Sequence, residues 1–269
     1  MSLSLKYKYP PLPFYGNKSN FKEIISQICV DYNGHDDMIF VDLFGGSLYL
    51  SYLFKSFFPN CQVISNDYDD YHIRLQNYYY TNDLLKLITL VVNFNTSNLN
   101  KKMSPEDERT IRLTLDRYVH YKDWITLGSK LCFSGAFISS KDDFYKNSYY
   151  YKKIGSIPNP TDYLSGLTIV KKDWEELFNE YKDNPNAIFI FDPPYDNTNN
   201  STYRNKIIDL DNLITCCLSK EHFFFFTHNH SNCIDIFQKR NDLKSFSCHR
   251  SSINCKCAKK DKYDILFYK

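Results

Sequence analysis

The most specific chemical motif in this 269-residue chain is Asp192-Pro193-Pro194-Tyr195, which directly follows the apolar run Ala187–Phe191. Neither proline has a backbone N–H, so the pair ends a strand and stiffens the turn that follows it. The Asp192 carboxylate and the Pro193 carbonyl then become two fixed hydrogen-bond acceptors beside the aromatic ring of Tyr195. Two acceptors and a stacking ring suit a planar base that carries an exocyclic amino group. A rigid loop without chemistry is the simpler alternative.

A second group of polar residues follows the stretch M-I-F-V-D at residues 38–42, whose composition favours a buried parallel strand. The stretch ends at Asp42 in a tight Gly45-Gly46 turn, and apolar residues 48–58 then predict a helix. A second strand at 61–65 ends in Asn66-Asp67, which completes a β-α-β unit with parallel strands. Asp67 lies 25 residues after Asp42, close to the roughly 20-residue spacing of an acid that accepts ribose hydroxyls.

Glycine is scarce in the chain, with 8 residues where average usage of roughly 7% predicts about 19. The pair after Asp42 is therefore informative, since glycine allows a backbone to approach a ligand that a Cβ would exclude. The alternative is an ordinary strand-to-helix turn with solvated caps. A dehydrogenase is disfavoured because the spacing G-x-G-x-x-G is absent.

The elements that position these residues form an alternating α/β pattern. Further strands are predicted at 187–191, 222–227, 244–248 and 263–268, whereas residues 71–165 are mainly helical, with a helix start at Ser104-Pro105. We therefore predict an open α/β sheet interrupted by a helical insertion. Ligands of such sheets bind at the carboxyl ends of the strands, so Asp42, Asp67 and Asp192 are expected to line one crevice.

Composition excludes several classes of protein. Hydrophobic residues make up 43% of the chain and the formal net charge is +2, which indicates a folded domain that is neither strongly acidic nor generally basic. No apolar stretch approaches the roughly 18 to 20 residues of a membrane span, and the N-terminus lacks the pattern of a signal peptide. Nine cysteines without such a signal suggest reduced thiols in a cytoplasmic compartment.

In motifs and in their order along nearly the whole chain, the sequence resembles the Dam-type DNA adenine-N6 methyltransferases, which use S-adenosylmethionine (SAM). The matching segments are P-F-Y-G-N-K at 13–18, F-V-D-L-F-G-G at 40–46, N-D at 66–67, K-D-W at 172–174, D-P-P-Y at 192–195, and the closing hairpin from 250 to 268. The resemblance implies a Rossmann-like class I methyltransferase sheet, mostly parallel with a C-terminal antiparallel hairpin. It also implies a SAM-binding catalytic domain at 1–70 and 166–269, and an inserted target-recognition domain at 71–165.

The resemblance further implies that a methyl group passes from SAM, leaving S-adenosylhomocysteine, to the N6 amino group of an adenine flipped out of double-stranded DNA. The catalytic residues it implies are Asp192, Pro193, Pro194 and Tyr195. The implied cofactor-binding residues are Tyr15, Gly16, Asn17, Lys18, Asp42, Leu43, Phe44, Gly45, Gly46, Ser47, Asp67, Asp173, Trp174 and Asp192. The enzyme would be a monomer or weak dimer that acts alone or beside a cognate restriction endonuclease, with no metal and no membrane partner.

The inserted region is expected to choose the DNA site. Residues 133–140 resemble the family's recognition hairpin, but Ile138 and its neighbours cannot make the arginine contact with guanine found in GATC-specific members. Lysines interleaved with tyrosines at 141–153 suit phosphate contacts, and a solvated loop is the alternative. The candidate DNA-binding residues are Ser134, Phe137, Ser139, Ser140, Lys141, Lys152, Lys153, Tyr203 and Arg204.

Three alternatives stay open at this stage. Cys248, His249, Cys255 and Cys257 could suggest zinc, but they lack the paired C-x-x-C spacing of a structural site. A catalytically silent DNA-binding or regulatory module would keep the same fold. Methylation of cytosine N4 or of glutamine is a third option, although those relatives usually have Ser or Asn at the position of Asp192.

Overall fold

The computed structural model describes residues 5–31, 36–92, 94, 97–133, 136, 138–194, 208–240, 247–252 and 263–269. The chain divides into two compact units. The first consists of Met1–Tyr9, Gly16–Tyr71 and Leu164–Lys269, and the second of Pro10–Tyr15 and His72–Tyr163. Within the described ranges, no helix combines the length and the hydropathy that crossing a bilayer requires.

The first unit is built on a seven-stranded sheet with the strand order β3-β2-β1-β4-β5-β7-β6. The strands are β1 Ile39–Asp42, β2 Gln62–Asn66, β3 Leu167–Val170, β4 Ala187–Phe191, β5 Phe223–His228, β6 Ser247–Ser252 and β7 Tyr263–Tyr268. Strands β1 to β5 pair in parallel, whereas β7 is antiparallel to both β5 and β6. The predicted Rossmann-like methyltransferase sheet with a C-terminal antiparallel hairpin is therefore confirmed.

Helices cover both faces of this sheet because alternate strand residues point to opposite sides. One face meets α1 Lys22–Asp31 and α2 Tyr49–Phe57, where Phe40 stacks on Phe54 with ring centroids 4.7 Å apart. The other face meets α8 Trp174–Tyr181, α9 Leu210–Leu218 and α10 Asn232–Lys239. Burial on both sides explains why the central strands β4 and β5 are continuous apolar runs.

The second unit contains α4 Tyr78–Val91, α5 Pro105–Arg117, α6 Trp124–Leu131 and α7 Lys141–Lys146, while α3 Tyr71–Gln76 begins on the last residue of the first unit. The predicted helix start at Ser104 is confirmed, since its hydroxyl accepts the Asp107 N–H and Pro105 is the first helical residue. Arg74 forms a buried ion pair with Asp123 and also donates to the Pro13 carbonyl at 2.9 Å.

The structure also contains an element that the sequence did not predict. Strand β3 has only four residues, none of them fully buried, so it lacked the apolar signal of the central strands. The predicted strand at 244–248 corresponds to β6, which begins at Ser247 and runs to Ser252; residues 241–246 lie outside the described ranges.

Candidate functional site

Three aspartates follow or end parallel strands at the same edge of the first unit. Asp42 is the last residue of β1, whereas Asp67 and Asp192 directly follow β2 and β4. Within the sheet, β1 lies between β2 and β4, with Asp42 in register with Ser65 and Ile190. The order in which the chain adds strands reverses between β1 and β4, because β2 and β3 lie on one side of β1 and β4 and β5 lie on the other. Open α/β sheets hold their ligands at such a reversal point.

Asp42 is completely buried and hydrogen-bonded. Its Oδ1 accepts the Phe44 N–H at 3.2 Å, and its Oδ2 accepts the Ser51 hydroxyl at 2.7 Å. Burial raises the pKa of Asp42 to about 7, the Ser51 hydrogen bond opposes this rise, and the nearby charge of Asp192 adds to it. Asp42 therefore titrates near neutral pH and holds the start of the glycine turn.

The glycine turn packs directly on the end of β2. The Gly45 N–H donates to the Asn66 carbonyl at 3.0 Å, and a Cβ on Gly45 would lie 2.7 Å from the Ser65 hydroxyl oxygen. Gly46 has a φ of 49°, a left-handed conformation that favours glycine. Both glycines thus have structural reasons for their positions, one steric and one conformational, and they bring the backbone turn between β1 and α2 close to the sheet.

Asn66 joins three strand ends through one side-chain amide. Its Nδ2 donates to the carbonyls of Leu43 and Lys172, each at 3.0 Å, and its Oδ1 accepts the Lys172 N–H at 2.9 Å. Sequence reasoning noted Asn66 only as the neighbour of Asp67 and missed this role. Asp67 is also fully buried, and its carboxylate accepts the Tyr71 N–H at 2.9 Å. These contacts fix the turns after β1, β2 and β3 relative to one another.

Asp192 forms an ion pair with Lys18. The Lys18 Nζ lies 2.7 Å from Asp192 Oδ2, and the two side chains are 4% and 15% exposed. Burial raises the pKa of Asp192 to about 6, the Lys18 charge and hydrogen bond hold it lower than burial alone would, and Asp264 raises it. Pro193 is buried and Pro194 is half-buried. The D-P-P turn therefore presents a carboxylate that is mostly ionised at neutral pH and fixed by a buried ammonium.

Asp173 and Trp174 lie after β3, at the start of α8. The Asp173 carboxylate caps this helix by accepting the Glu175 N–H at 3.0 Å. Trp174 is only 5% exposed and belongs to the apolar core, with its ring 6.0 Å from that of Phe44. Trp174 thus packs against Phe44, the residue before the glycine pair. Ser47, after that turn, is buried, and so is Leu43 before it.

The P-F-Y-G-N-K element spans both units. Gly16, Asn17 and Lys18 belong to the first unit, whereas Tyr15 belongs to the second, where its hydroxyl donates to the Ala136 carbonyl at 3.1 Å. Gly16 has a φ of 77°, and the Asn17 side chain accepts hydrogen bonds from the backbone and hydroxyl of Ser19. The structure brings Lys18 together with the strand-end aspartates.

The described candidates for DNA binding all lie in the second unit. Ser140 caps α7, and Ser139 donates its hydroxyl to Asp143 at 2.9 Å. Lys141 pairs with Asp116 at 2.9 Å on the surface. Lys152 donates to the Cys132 carbonyl, and its partial burial lowers its pKa, while Lys153 is exposed.

Several predicted residues lie outside the described part of the chain: Ser134, Phe137, Tyr195, Tyr203, Arg204, Cys255 and Cys257. Within the part described, seven cysteines are free thiols, and no group of three or more His, Cys, Asp or Glu side chains is placed to hold a metal ion. Of the four residues considered as zinc ligands, Cys248 and His249 lie within the described ranges, on β6.

The sequence has a relative in Haemophilus influenzae with the description "Putative methyltransferase". The two are 30% identical over 238 residues, which cover 85% of this chain and 78% of the relative. No family model matches the chain. A solved structure of precorrin-6y C5,15-methyltransferase from Geobacter metallireducens aligns over 98% of this chain and 100% of its own with 9% identity and a TM-score of 0.36, a likeness too weak to bear on function. By its identity with the Haemophilus protein, the chain belongs to a methyltransferase family.

Proposed function

We propose that this protein transfers a methyl group from SAM to the N6 amino group of an adenine in double-stranded DNA. The observation that carries the proposal is the placement of Asp192-Pro193-Pro194. The turn follows a fully buried strand, lies at the reversal point of the sheet, and holds its carboxylate against Lys18. Open α/β sheets bind a nucleotide-like cofactor at this edge. A hydrogen-bond acceptor that orients the substrate towards the cofactor would therefore lie at the same edge.

The residues at the carboxyl ends of β1 and β2 fit SAM as a ligand. A glycine turn with a left-handed Gly46 brings the backbone near the crevice, and the buried Asp67 carboxylate follows β2 where a ribose acceptor belongs. When bound, SAM supplies an electrophilic methyl group on its sulfonium. The hydrogen bonds of Asn66 would keep the turns around the cofactor fixed before it binds.

The chemical task of the D-P-P turn is to orient a poor nucleophile. The lone pair of the adenine amino nitrogen is delocalised into the ring, so it attacks a methyl group only when the nitrogen is drawn towards tetrahedral geometry. Hydrogen bonds from the amino group to the Asp192 carboxylate and the Pro193 carbonyl would do this and would aim the lone pair, by positioning and electrostatic stabilisation. Stacking on Tyr195, a proposal from the sequence, would offset about 1–3 kcal/mol of the cost of flipping the base.

The second unit has the charge expected of a DNA-contacting module. Residues 72–163 hold 13 Lys and Arg against nine Asp and Glu, a surplus of four positive charges. Ile138, at the position of interest for guanine recognition, is 2% exposed and packs on Gly128. An isoleucine at this position cannot make a bidentate hydrogen-bonded contact with guanine, which supports a recognition sequence other than GATC. Lys153 and the helix cap at Ser140 lie in the same segment as candidates for phosphate contacts.

The test compares wild type with Asp192→Asn, which keeps the size of the side chain and removes its charge. Each protein is incubated with SAM and unmodified double-stranded DNA, and the nucleosides are identified by mass spectrometry. The wild type is expected to form N6-methyladenine. Asp192→Asn should lose roughly 10²–10³-fold in rate, the typical cost of one transition-state contact, with SAM binding by calorimetry nearly unchanged.

The matched control is Asp183→Asn, which changes an exposed carboxylate between α8 and the amino end of β4. It should methylate at the wild-type rate. A wild-type rate in Asp192→Asn, or SAM-competent wild-type protein that forms no N6-methyladenine, would overturn the proposal. The second result would favour the silent DNA-binding module.

A further inference from the structure

The environment of Lys18 differs from that of a surface lysine. Its side chain is 4% exposed, and the Nζ contacts Asp192 Oδ2 at 2.7 Å and the Gly16 carbonyl at 2.8 Å. The ammonium also lies 6.0 Å from the centre of the Phe226 ring, near the end of β5. Two oxygens and an aromatic face therefore hold the charge in one place.

The backbone around Lys18 is folded to keep this arrangement. Gly16 has a φ of 77°, which directs its carbonyl back to the ammonium of the residue two places on. Asn17 accepts the Ser19 N–H at 3.2 Å, and the Phe21 N–H donates to the Lys18 carbonyl at 3.0 Å in a short helical turn. The glycine and asparagine of this element thus have a role within the protein: they fix the position of Lys18.

The charged groups around Asp192 come from three other elements. Lys18 precedes α1, Asp42 ends β1, and Asp264 lies on β7. The two neighbouring carboxylates favour the protonated form of Asp192, as burial does, whereas the ammonium favours the ionised form. Lys18 contacts Asp192 through its Oδ2.

We infer that Lys18 is a positioning residue for Asp192 and not a ligand of the cofactor. It holds the carboxylate ionised and bound through Oδ2, so that Oδ1 is the atom that receives the amino group of the substrate. The effect of Lys18 on the methylation rate rests on the proposed function, whereas its effect on the charge of Asp192 rests on the ion pair alone. Lys18, which the family resemblance placed among the cofactor-binding residues, is thereby assigned to the support of Asp192.

The first test measures the titration of Asp192 and needs no substrate. The aspartate carboxyl carbons are labelled and followed by NMR against pH, with Asp192→Asn used to assign the signal. The wild-type midpoint is expected at about 6. In Lys18→Met, which keeps the length and removes the charge, it should rise by about one to three pH units. An unchanged midpoint would overturn the inference.

The second test separates positioning from cofactor binding. If the Asp192 pKa rises as above, the ionised fraction at neutral pH falls, and the transfer rate of Lys18→Met should fall about 2- to 100-fold and recover as the pH is raised. Its affinity for SAM should stay within about twofold of wild type. SAM binding weakened about tenfold or more, with an unmoved pH profile, would identify Lys18 as a cofactor ligand.

Two further variants keep the outcome interpretable. Lys220→Met is the matched control: Lys220 lies between α9 and the amino end of β5, over the rings of Phe178 and Phe189, and its loss should leave the titration of Asp192 unmoved. Lys18→Arg covers the case in which Lys18→Met does not fold. The charge is kept, so the midpoint should stay near that of wild type, but the planar guanidinium should lower the rate by shifting the carboxylate. A wild-type protein that does not methylate DNA would refute the proposed function and leave the NMR test standing.

Discussion

Replacement of Asp42 by Asn should stabilise the first unit above neutral pH and remove much of its pH dependence. Asp42 is completely buried, and its pKa is raised to about 7, first by burial and then by the charge of Asp192. An unfolded aspartate has a pKa of about 3.9. The folded state therefore binds the proton more tightly than the unfolded state, so the contribution of Asp42 to stability is greatest below about pH 4 and falls as the pH rises towards 7.

The magnitude follows from the difference between the folded and unfolded pKa values. The two values are about three pH units apart, and each unit corresponds to about 1.4 kcal/mol. Ionisation of Asp42 alone should therefore lower the free energy of unfolding by about 4 kcal/mol as the pH rises from about 4 to about 7. In Asp42→Asn the amide oxygen can still accept the Phe44 N–H, and the Ser51 hydroxyl can rotate to accept from the new NH₂. The variant should then exceed wild type by about 2–4 kcal/mol at pH 8.5 and show little or no advantage at pH 4.5.

The assay is denaturant unfolding followed by tryptophan fluorescence. The chain has two tryptophans, and Trp174 lies in the core of the first unit, whereas Trp124 starts α6 in the second. A Trp124→Phe background makes Trp174 the reporter for the sheet. Free energies of unfolding would be compared across the pH range for wild type, Asp42→Asn and the exposed control Asp183→Asn.

A constant difference in the free energy of unfolding between wild type and Asp42→Asn across the pH range would contradict this prediction, because it would mean that Asp42 does not titrate with a raised pKa. Greater stability of the wild type at high pH would contradict it more strongly, since the sign of the linkage would be reversed. The Asp183→Asn control should follow wild type at every pH.

Three further predictions concern the supports of the site and the second unit. Asn66→Ala should lower the free energy of unfolding by about 2–4 kcal/mol, because it leaves buried and partly buried backbone groups of Leu43 and Lys172 without partners; denaturant titration would detect this loss, and an unchanged free energy of unfolding would contradict the role of the Asn66 amide in joining the three turns. Gly45→Ala should cost about 1–3 kcal/mol by its 2.7 Å approach to the Ser65 hydroxyl, and Ser65→Gly should recover part of that cost in the double variant, whereas strict additivity would argue against the clash. Arg74→Met should destabilise the second unit by about 3–5 kcal/mol by leaving Asp123 buried without its cation, as measured by fluorescence of the tryptophan on α6; an unchanged unfolding midpoint would be the contrary result.

The sequence was sufficient for the parts of the fold that depend on local signals. The apolar run before Asp192 and the two prolines after it predicted β4 and its end, since burial on both faces and the loss of N–H donors act within a few residues. The same logic located β1 with its glycine turn. Strand β3 was missed because its four residues are only partly buried and so carry little periodic signal.

The site needed the structure because its decisive contacts join distant segments. The Asn66 amide is hydrogen-bonded to Lys172, which is 106 residues away in the sequence. No local sequence pattern around either residue predicts this contact. Lys18 resembled a cofactor-binding residue by its motif, but burial against Asp192 is a property of the folded chain. Trp174 resembled a residue beside the adenine of the cofactor, and the structure adds that it is buried in the core.

The proposed orientation of an adenine amino group by the Asp192 turn can be measured in one experiment. Wild type and Asp192→Asn are incubated with unmodified double-stranded DNA and methyl-labelled SAM, and the labelled nucleoside is then identified by mass spectrometry. Wild type is expected to form labelled N6-methyladenine and the variant almost none, although both bind SAM. Label in another nucleoside or in protein, or equal N6-methyladenine from both proteins, would contradict it.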